Sequence, residues 1–218
     1  PTDILEIYDP RTDTWEVGTS LPKAISAYAL ADFEGQLYLF GGWDGEQALT
    51  DVVVYDPVDD AWHEGTPMVT ARYYAEAAEV QGNIFIIGGK TNTRILDVTE
   101  KYLPTREGSS EKVWFRDIDL PINLYGMGVI EASDSIFVFF GISDNQNRVY
   151  QIYLPPDRRE WVISDLSVVE DYSISQPAVE SVGGNIYIIG GKIRNIPINK
   201  TTSYKAIYTI MLPFTINQ

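Results

Sequence analysis

Cysteine is absent from this 218-residue chain, and histidine occurs once, at His63. The first absence excludes disulfides, thiolate catalysis and thiolate metal sites, and is neutral about compartment. The second leaves imidazole chemistry to one residue that directly follows Trp62 on an expected outer strand. There it reads as solvent-exposed, not as a metal ligand or an acid–base group. Basic residues are also scarce: 16 Lys and Arg stand against 31 Asp and Glu, a formal charge of −15. That field repels phosphate backbones and anionic lipid, so nucleic acid is not an expected partner. No apolar run approaches the ~20 residues of a membrane helix, so membrane insertion is not expected. No long segment carries apolar residues at i, i+3, i+4 between capping signals, so no helix is expected. The first residues, PTDILEIYDP, lack an initiating Met and the charged-then-apolar order of a signal segment, and read as a trimmed front.

What is present is aromatic and repetitive. Hydrophobic residues make up 44% of the chain and aromatics 12%, enough for a sizeable core and against disorder. Residues 38–62, YLFGGWDGEQALTDVVVYDPVDDAW, hold a short apolar strand ending in Gly41-Gly42, a polar loop, a strand ending at Tyr55, an Asp56-Pro57 turn and a strand opening at Trp62. The same parts return with Gly88-Gly89, Tyr102 and Trp114, with Gly141, Tyr153 and Trp161, and with Gly190-Gly191 and Tyr208. Tyr8, Asp9-Pro10 and Trp15 stand ahead of them as half a copy. Period-two runs such as ILEIY and QLYLF, separated by Gly, Pro, Asn and Asp, predict short strands throughout. A period of about fifty residues marks the blades of a β-propeller rather than a solenoid of helix pairs. The expected units are residues 1–20 (partial), 21–66, 67–119, 120–166 and 167–218 (partial), with KAIYTIML as the third strand of the last. A polar insertion at residues 106–112 is tolerated because loop-closure cost grows slowly with length. The glycine pairs are expected where a neighbouring sheet and a large side chain come too close for a Cβ. The tyrosines and tryptophans are expected to be packing residues.

The stretch WDGEQALTDVVVYDPVDDAWHEGTPMVTARYYAEAAEVQGNIFIIGG, with its GG, DG and YDP elements, Trp, PM-x-x-x-R connection and IxxIGG, resembles the repeat of the kelch family. The resemblance runs through essentially the whole chain, although Phe140 replaces the first glycine of the third pair. It implies an all-β kelch-type propeller of four-stranded blades, four to five of them present. Kelch rings usually have six or seven blades, so the expectation is part of a longer ring, or a piece completed by another chain. A closed four-bladed ring is the alternative.

In kelch domains the partner-binding end is built from the loop after the GG strand and the connection into the next inner strand. By resemblance the second connection yields Ile25, Arg72, Leu124 and Ile174, of which Arg72 matches an arginine that some relatives use to grip an acidic peptide. Adding the first connection gives the candidate ligand-binding rim of Trp43, Arg72, Tyr73, Arg94, Tyr125, Arg148 and Arg194. Asp44, Thr91, Asn145 and Asn195 are their neighbours. Arginines and aromatics are the types enriched in binding hot spots. Alanine at Arg72 and Arg94 is then expected to weaken partner binding without lowering the melting temperature.

The expected function is a non-catalytic module for a protein or glycan partner, with no cofactor, no metal and no catalytic residues. Extracellular or cell-surface residence is the expectation. A carbohydrate-active enzyme is the rival: kelch-like galactose oxidases need a cysteine-linked tyrosine and histidines that this chain lacks, whereas sialic-acid mutarotases of this type use carboxylates and arginines. Asp59-Asp60 reads as a turn, and the Asp144-Asn145-Gln146-Asn147 loop misses the spaced acidic pattern of an EF-hand. Asn199-Lys200-Thr201 fits an N-glycosylation acceptor, a frequent chance match. A third reading is structural, with open blade edges seeking strands from a neighbour.

Overall fold

Alternation of apolar and polar residues, punctuated by left-handed turn residues, cuts this chain into strands of two to five residues. The computed structural model describes residues 1–132, 134–144, 150–154, 162–165, 174–182 and 185–205. In chain order the strands begin with β1 (Glu6–Asp9) and β2 (Thr14–Val17), a two-stranded half-blade. A complete four-stranded blade follows: β3 (Ala29–Phe33), β4 (Gln36–Phe40), β5 (Val52–Asp56) and β6 (Ala61–Glu64). The next blade is β7 (Glu76–Val80), β8 (Asn83–Ile87), β9 (Thr99–Tyr102) and β10 (Trp114–Arg116). The third is β11 (Gly128–Ala132), β12 (Ser135–Phe139), β13 (Tyr150–Leu154) and β14 (Val162–Asp165). Last come β15 (Ala178–Val182), β16 (Asn185–Ile189), the small hairpin β17 (Lys192–Ile193) and β18 (Ile196–Pro197), and β19 (Thr201–Lys205), which pairs with β16.

Every pairing is antiparallel between sequence neighbours in the blade, the up-and-down order of a propeller sheet. The first two strands of a blade are joined by two-residue turns with both φ angles positive, Glu34-Gly35 at 50° and 81° and Gln81-Gly82 at 52° and 79°. Such turns match the right-handed twist of the strands they connect. Inner strands lie side by side, β3 by β7, β7 by β11 and β11 by β15.

The core sits between blades, as two-sided burial requires. Tyr38, Phe40 and Val54 meet Ile84, Ile86, Tyr102 and Trp114 in one cluster. Ile87 and Ala78 meet Met127, Ile136 and Val138 in the next, and Phe139 meets Ile186 and Ile188 in a third. The paired glycines lie at these seams. A Cβ on Gly88, at φ +57°, would stand 2.4 Å from the Leu124 carbonyl oxygen and 2.5 Å from Met127 Cε. The close neighbours here are a backbone carbonyl and the large side chain of a methionine. In the third blade Phe140 takes the left-handed position at φ 61° and is itself buried.

The expected tyrosines and tryptophans form a clasp at each of two junctions. Thr19 donates its N–H and hydroxyl to the Asp60 carboxylate at 2.9 and 3.0 Å, and the Tyr55 hydroxyl donates to Asp60 at 2.7 Å. Trp62 donates its indole N–H to the Thr19 carbonyl at 2.8 Å. One blade on, Thr66, Glu107, Tyr102 and Trp114 repeat all four bonds. Each ring buries ~150–250 Å², worth roughly 4–6 kcal/mol before ordering costs at ~25 cal/mol per Å².

Two expectations need adjusting. The third strand of the last blade is Thr201–Lys205, not KAIYTIML, of which residues 206–212 lie outside the described residues. Among the described residues one 3-10 turn, Pro104–Arg106, leads into the polar insertion where no helix was expected. Trp161 and Tyr208 lie outside the described residues.

Candidate functional site

Four connections enter the inner strands, and they stack in register. Ile25, Arg72, Leu124 and Ile174 occupy one position and all four are buried. Ser26, Tyr73, Tyr125 and Ser175 follow, bridged respectively to Trp43, Lys90, Ile142 and Lys192, the residues just after the glycine pairs or, in the third blade, after Phe140-Gly141. Next are Ala27, Tyr74, Gly126 and Gln176, all left-handed with φ between 53° and 59°. Their backbones form a ladder from blade to blade: Tyr74 N–H donates to Ala27 at 2.8 Å, Gly126 to Tyr74 at 2.9 Å and Gln176 to Gly126 at 2.7 Å. This ladder frames one mouth of the channel between the inner strands.

Residues 28–69 match the family model described as the Kelch motif. Among solved structures the chain resembles that of YjhT, with a TM-score of 0.70 and 14% identity over 82% of this chain and 63% of that one. The fold is that of a kelch-type β-propeller. The chain spans less than two thirds of the YjhT chain, and the likeness speaks for the fold alone. No curated protein matches the sequence.

At the kelch mouth the rings of Trp43 and Tyr73 lie 4.9 Å apart, Tyr73 and Tyr74 5.4 Å, and Tyr74 and Tyr125 6.1 Å. The Lys90 ammonium sits over three of them, 4.9 Å from Tyr73, 5.5 Å from Tyr74 and 4.5 Å from Tyr125. No carboxylate lies within ion-pair distance of it among the described residues. Trp43, Tyr73 and Tyr125, picked from the sequence, therefore come together. Tyr74 and Lys90 were missed, although Lys90 follows Gly88-Gly89 as Trp43 follows Gly41-Gly42.

Arg72 is elsewhere. Its side chain is 0% exposed, and its guanidinium donates to the carbonyls of Gly88 at 3.0 Å, Val98 at 2.9 Å and Thr70 at 3.3 Å. It also pairs with Glu100 at 3.1 Å, and the Thr70 hydroxyl completes that carboxylate at 2.8 Å. Burial pushes the guanidinium below its ordinary range and Glu100 opposes that shift. Arg72 thus ties one blade's connection to the next blade and is a packing residue, a correction to its place on the rim. Arg94 is exposed on the β8–β9 loop, and Arg194 is exposed in the Arg194-Asn195 turn of the β17–β18 hairpin. Arg148 and Asn145 lie outside the described residues. Asp44 is occupied: the Lys23 ammonium at 2.8 Å, with the Gln47 and Glu46 N–H groups, holds its carboxylate far below the usual range. The Thr91 hydroxyl accepts from the Thr93 and Arg94 N–H groups and shapes its own turn. His63 is exposed, as expected.

Behind the mouth, β3, β7, β11 and β15 wall a cavity of about 660 Å³ whose lining includes Asp32, Glu76, Glu79, Glu131 and Glu180. Two of these carboxylates serve the fold, since Glu79 accepts the Gly82 N–H at 2.6 Å and Glu131 the Asp134 N–H at 2.7 Å. Glu76, half-buried and two residues after Tyr74, is pushed up to about 7 by burial. Among the described residues no group of three His, Asp or Glu is placed to hold a metal ion.

Proposed function

We propose that this kelch chain is a non-catalytic binding module whose aromatic mouth takes a carboxylate-bearing protein or glycan partner. The observation that carries this is Lys90: an ammonium on three tyrosine faces, with no carboxylate in ion-pair reach among the described residues, in a chain with nearly twice as many acids as bases. Cation–π contact holds the ammonium in place while leaving its N–H groups for an acceptor. Tyrosine and tryptophan add rigid contact area, and in an acidic field one local cation gives direction to an incoming anion. Arg94 and Arg194 stand on the two loops that also carry Lys90 and Lys192, and would extend the positive rim. The test is binding to matched panels of acidic and neutral peptides and of carboxylated and neutral glycans. Carboxylated members should bind at least tenfold tighter, and Lys90→Met should remove that preference while leaving the melting temperature within about two degrees. Equal affinity for matched charged and neutral members would overturn the assignment.

A carbohydrate-active enzyme is a second reading, and Glu76 is what favours it. A carboxyl in the channel wall with its pKa near 7 is in the range of a general acid or base. Turnover of a sugar panel, lost in Glu76→Gln, would put this reading first.

A further inference from the structure

The ammonium of Lys90 lies among tyrosines whose backbones are firmly held. Tyr73 exchanges two backbone bonds with Lys90, at 3.0 and 2.9 Å, and Tyr125 exchanges two with Ile142, at 3.1 and 2.9 Å. Tyr74 is a rung of the ladder between blades, bonded through its N–H to Ala27 and through its carbonyl to Gly126. The Trp43 ring, 4.9 Å from Tyr73, extends the aromatic wall. Trp43, Tyr73, Tyr74, Lys90 and Tyr125 are all half-buried, so the enclosure they form is reached from solvent.

Three aromatic faces around one positive charge make a cage for a cation, and a lysine is a poor occupant of it. Its ammonium is compact and strongly hydrated, with three N–H groups that need acceptors. Among the described residues its contacts are the three ring faces, with no hydrogen bond and no ion pair. A quaternary ammonium has no N–H to satisfy and spreads its charge over methyl groups that rest against rings, which is why aromatic cages select it. The cage belongs to this junction and not to the repeat: Lys192 holds the equivalent place in the last blade, bridged to Ser175, and among the described residues no ring receives its ammonium. The surroundings also favour a cation, since the chain carries a formal −15 and Asp32, Glu76, Glu79, Glu131 and Glu180 line the cavity behind the mouth.

We infer that the Tyr73–Tyr74–Tyr125 cage is a quaternary-ammonium site plugged by the chain's own Lys90, and that its ligand group is a trimethylated ammonium beside a carboxylate. This rests on the carboxylate reading of the mouth and narrows it. The ligand's ammonium takes the place of Lys90 on the tyrosine faces. The flexible four-carbon stem then carries the lysine out to the ligand's carboxylate, where its N–H groups find the acceptor they lack in the free chain. The rings keep a cation and the lysine gains an anion. Because backbone bonds already hold the tyrosines, little further ordering is needed when the ligand arrives.

The experiment titrates the unmodified chain, by calorimetry and ligand-observed NMR, with probes matched in shape: glycine betaine, its carbon isostere 3,3-dimethylbutyrate, choline, and 3,3-dimethylbutanol. Glycine betaine should bind about tenfold tighter than 3,3-dimethylbutyrate, which lacks the positive charge, and tighter than choline, which lacks the carboxylate. Its N-methyl proton signal should move upfield under the tyrosine ring currents. Equal binding of glycine betaine and 3,3-dimethylbutyrate would overturn the cage while leaving the carboxylate reading standing. Choline binding as tightly as glycine betaine would defeat the carboxylate reading and the paired ligand with it, and no binding by any of the probes would overturn the inference outright. Lys90→Ala should remove the plug, so that choline binds more tightly than to the native chain and glycine betaine loses its advantage over it; unchanged choline affinity would count against the plug. Tyr125→Leu should erase the advantage of glycine betaine over 3,3-dimethylbutyrate. A peptide with trimethyl-lysine next to glutamate, set against glycine betaine, tells the source: in support of the site, tighter peptide binding assigns the group to a protein partner and tighter betaine binding to a free small molecule.

Discussion

Arg72 shows how far one residue's role depends on which way its side chain turns. Its spacing from the hairpin turn correctly identified the connection on which it lies. Its column-mates Ile25, Leu124 and Ile174 already hinted at an inward position, but resemblance to a peptide-gripping arginine pointed outward. In the structure it satisfies three backbone carbonyls and a buried glutamate, so removing it leaves Glu100 charged and unpaired. Arg72→Leu should lower unfolding free energy by about 3–5 kcal/mol in urea titration. Adding Glu100→Leu should recover most of that loss, because the site then holds the aliphatic contacts its equivalents make. Glu76 makes a prediction of the opposite kind. Its pKa rises from 4.5 to about 7 on folding, so the folded state holds the proton more tightly. The stability that follows is present below the unfolded value and is lost as pH rises through about 7. At ~1.4 kcal/mol per unit, the loss between pH 5 and 8 is on the order of 2–3 kcal/mol. Thermal unfolding across that range should show the decline in the native chain and a flatter profile in Glu76→Gln.

Among elements, the glycine pairs and the Tyr–Trp spacing were legible because each repeat has to solve the same packing problem with the same residue types. The clasp was only half legible. Tyr and Trp stood out as bulk, but the threonine and acid that complete each set are common residues with no pattern of their own. Their contribution is testable at the second junction, where Tyr102 is fully buried and donates to Glu107. Tyr102→Phe should cost about 1.5–3 kcal/mol in denaturant unfolding, the worth of a hydrogen bond to a charged group. The third strand of the last blade was misjudged because KAIYTIML is the more apolar run. The β17–β18 hairpin precedes the pairing instead: just after it the Ile198 N–H bonds the Gly191 carbonyl at 3.0 Å, and Thr201–Lys205 then pairs with β16. Hydrophobicity alone cannot choose between adjacent registers when the turn geometry already has.

Across the whole molecule, blade order and the all-β architecture followed from a period of about fifty residues, whereas the chemistry of the mouth did not. Lys90 and Tyr74 acquire meaning only when three connections from different blades converge, and no single stretch of sequence displays that convergence. The ladder of Tyr74, Gly126 and Gln176 is equally non-local. Because each rung joins two blades, those three amides should exchange with solvent only when blades separate. Their protection, measured by hydrogen exchange, should therefore fall together with denaturant rather than one at a time.

The clasps and the ladder share one property: each links a unit only to its immediate neighbour. A bracelet assembled this way can gain or drop a link while every surviving fastening keeps its chemistry. Gene duplication in such a lineage would then change circumference before it changed any joint, leaving the opening at the centre free to widen or tighten around whatever it has come to hold.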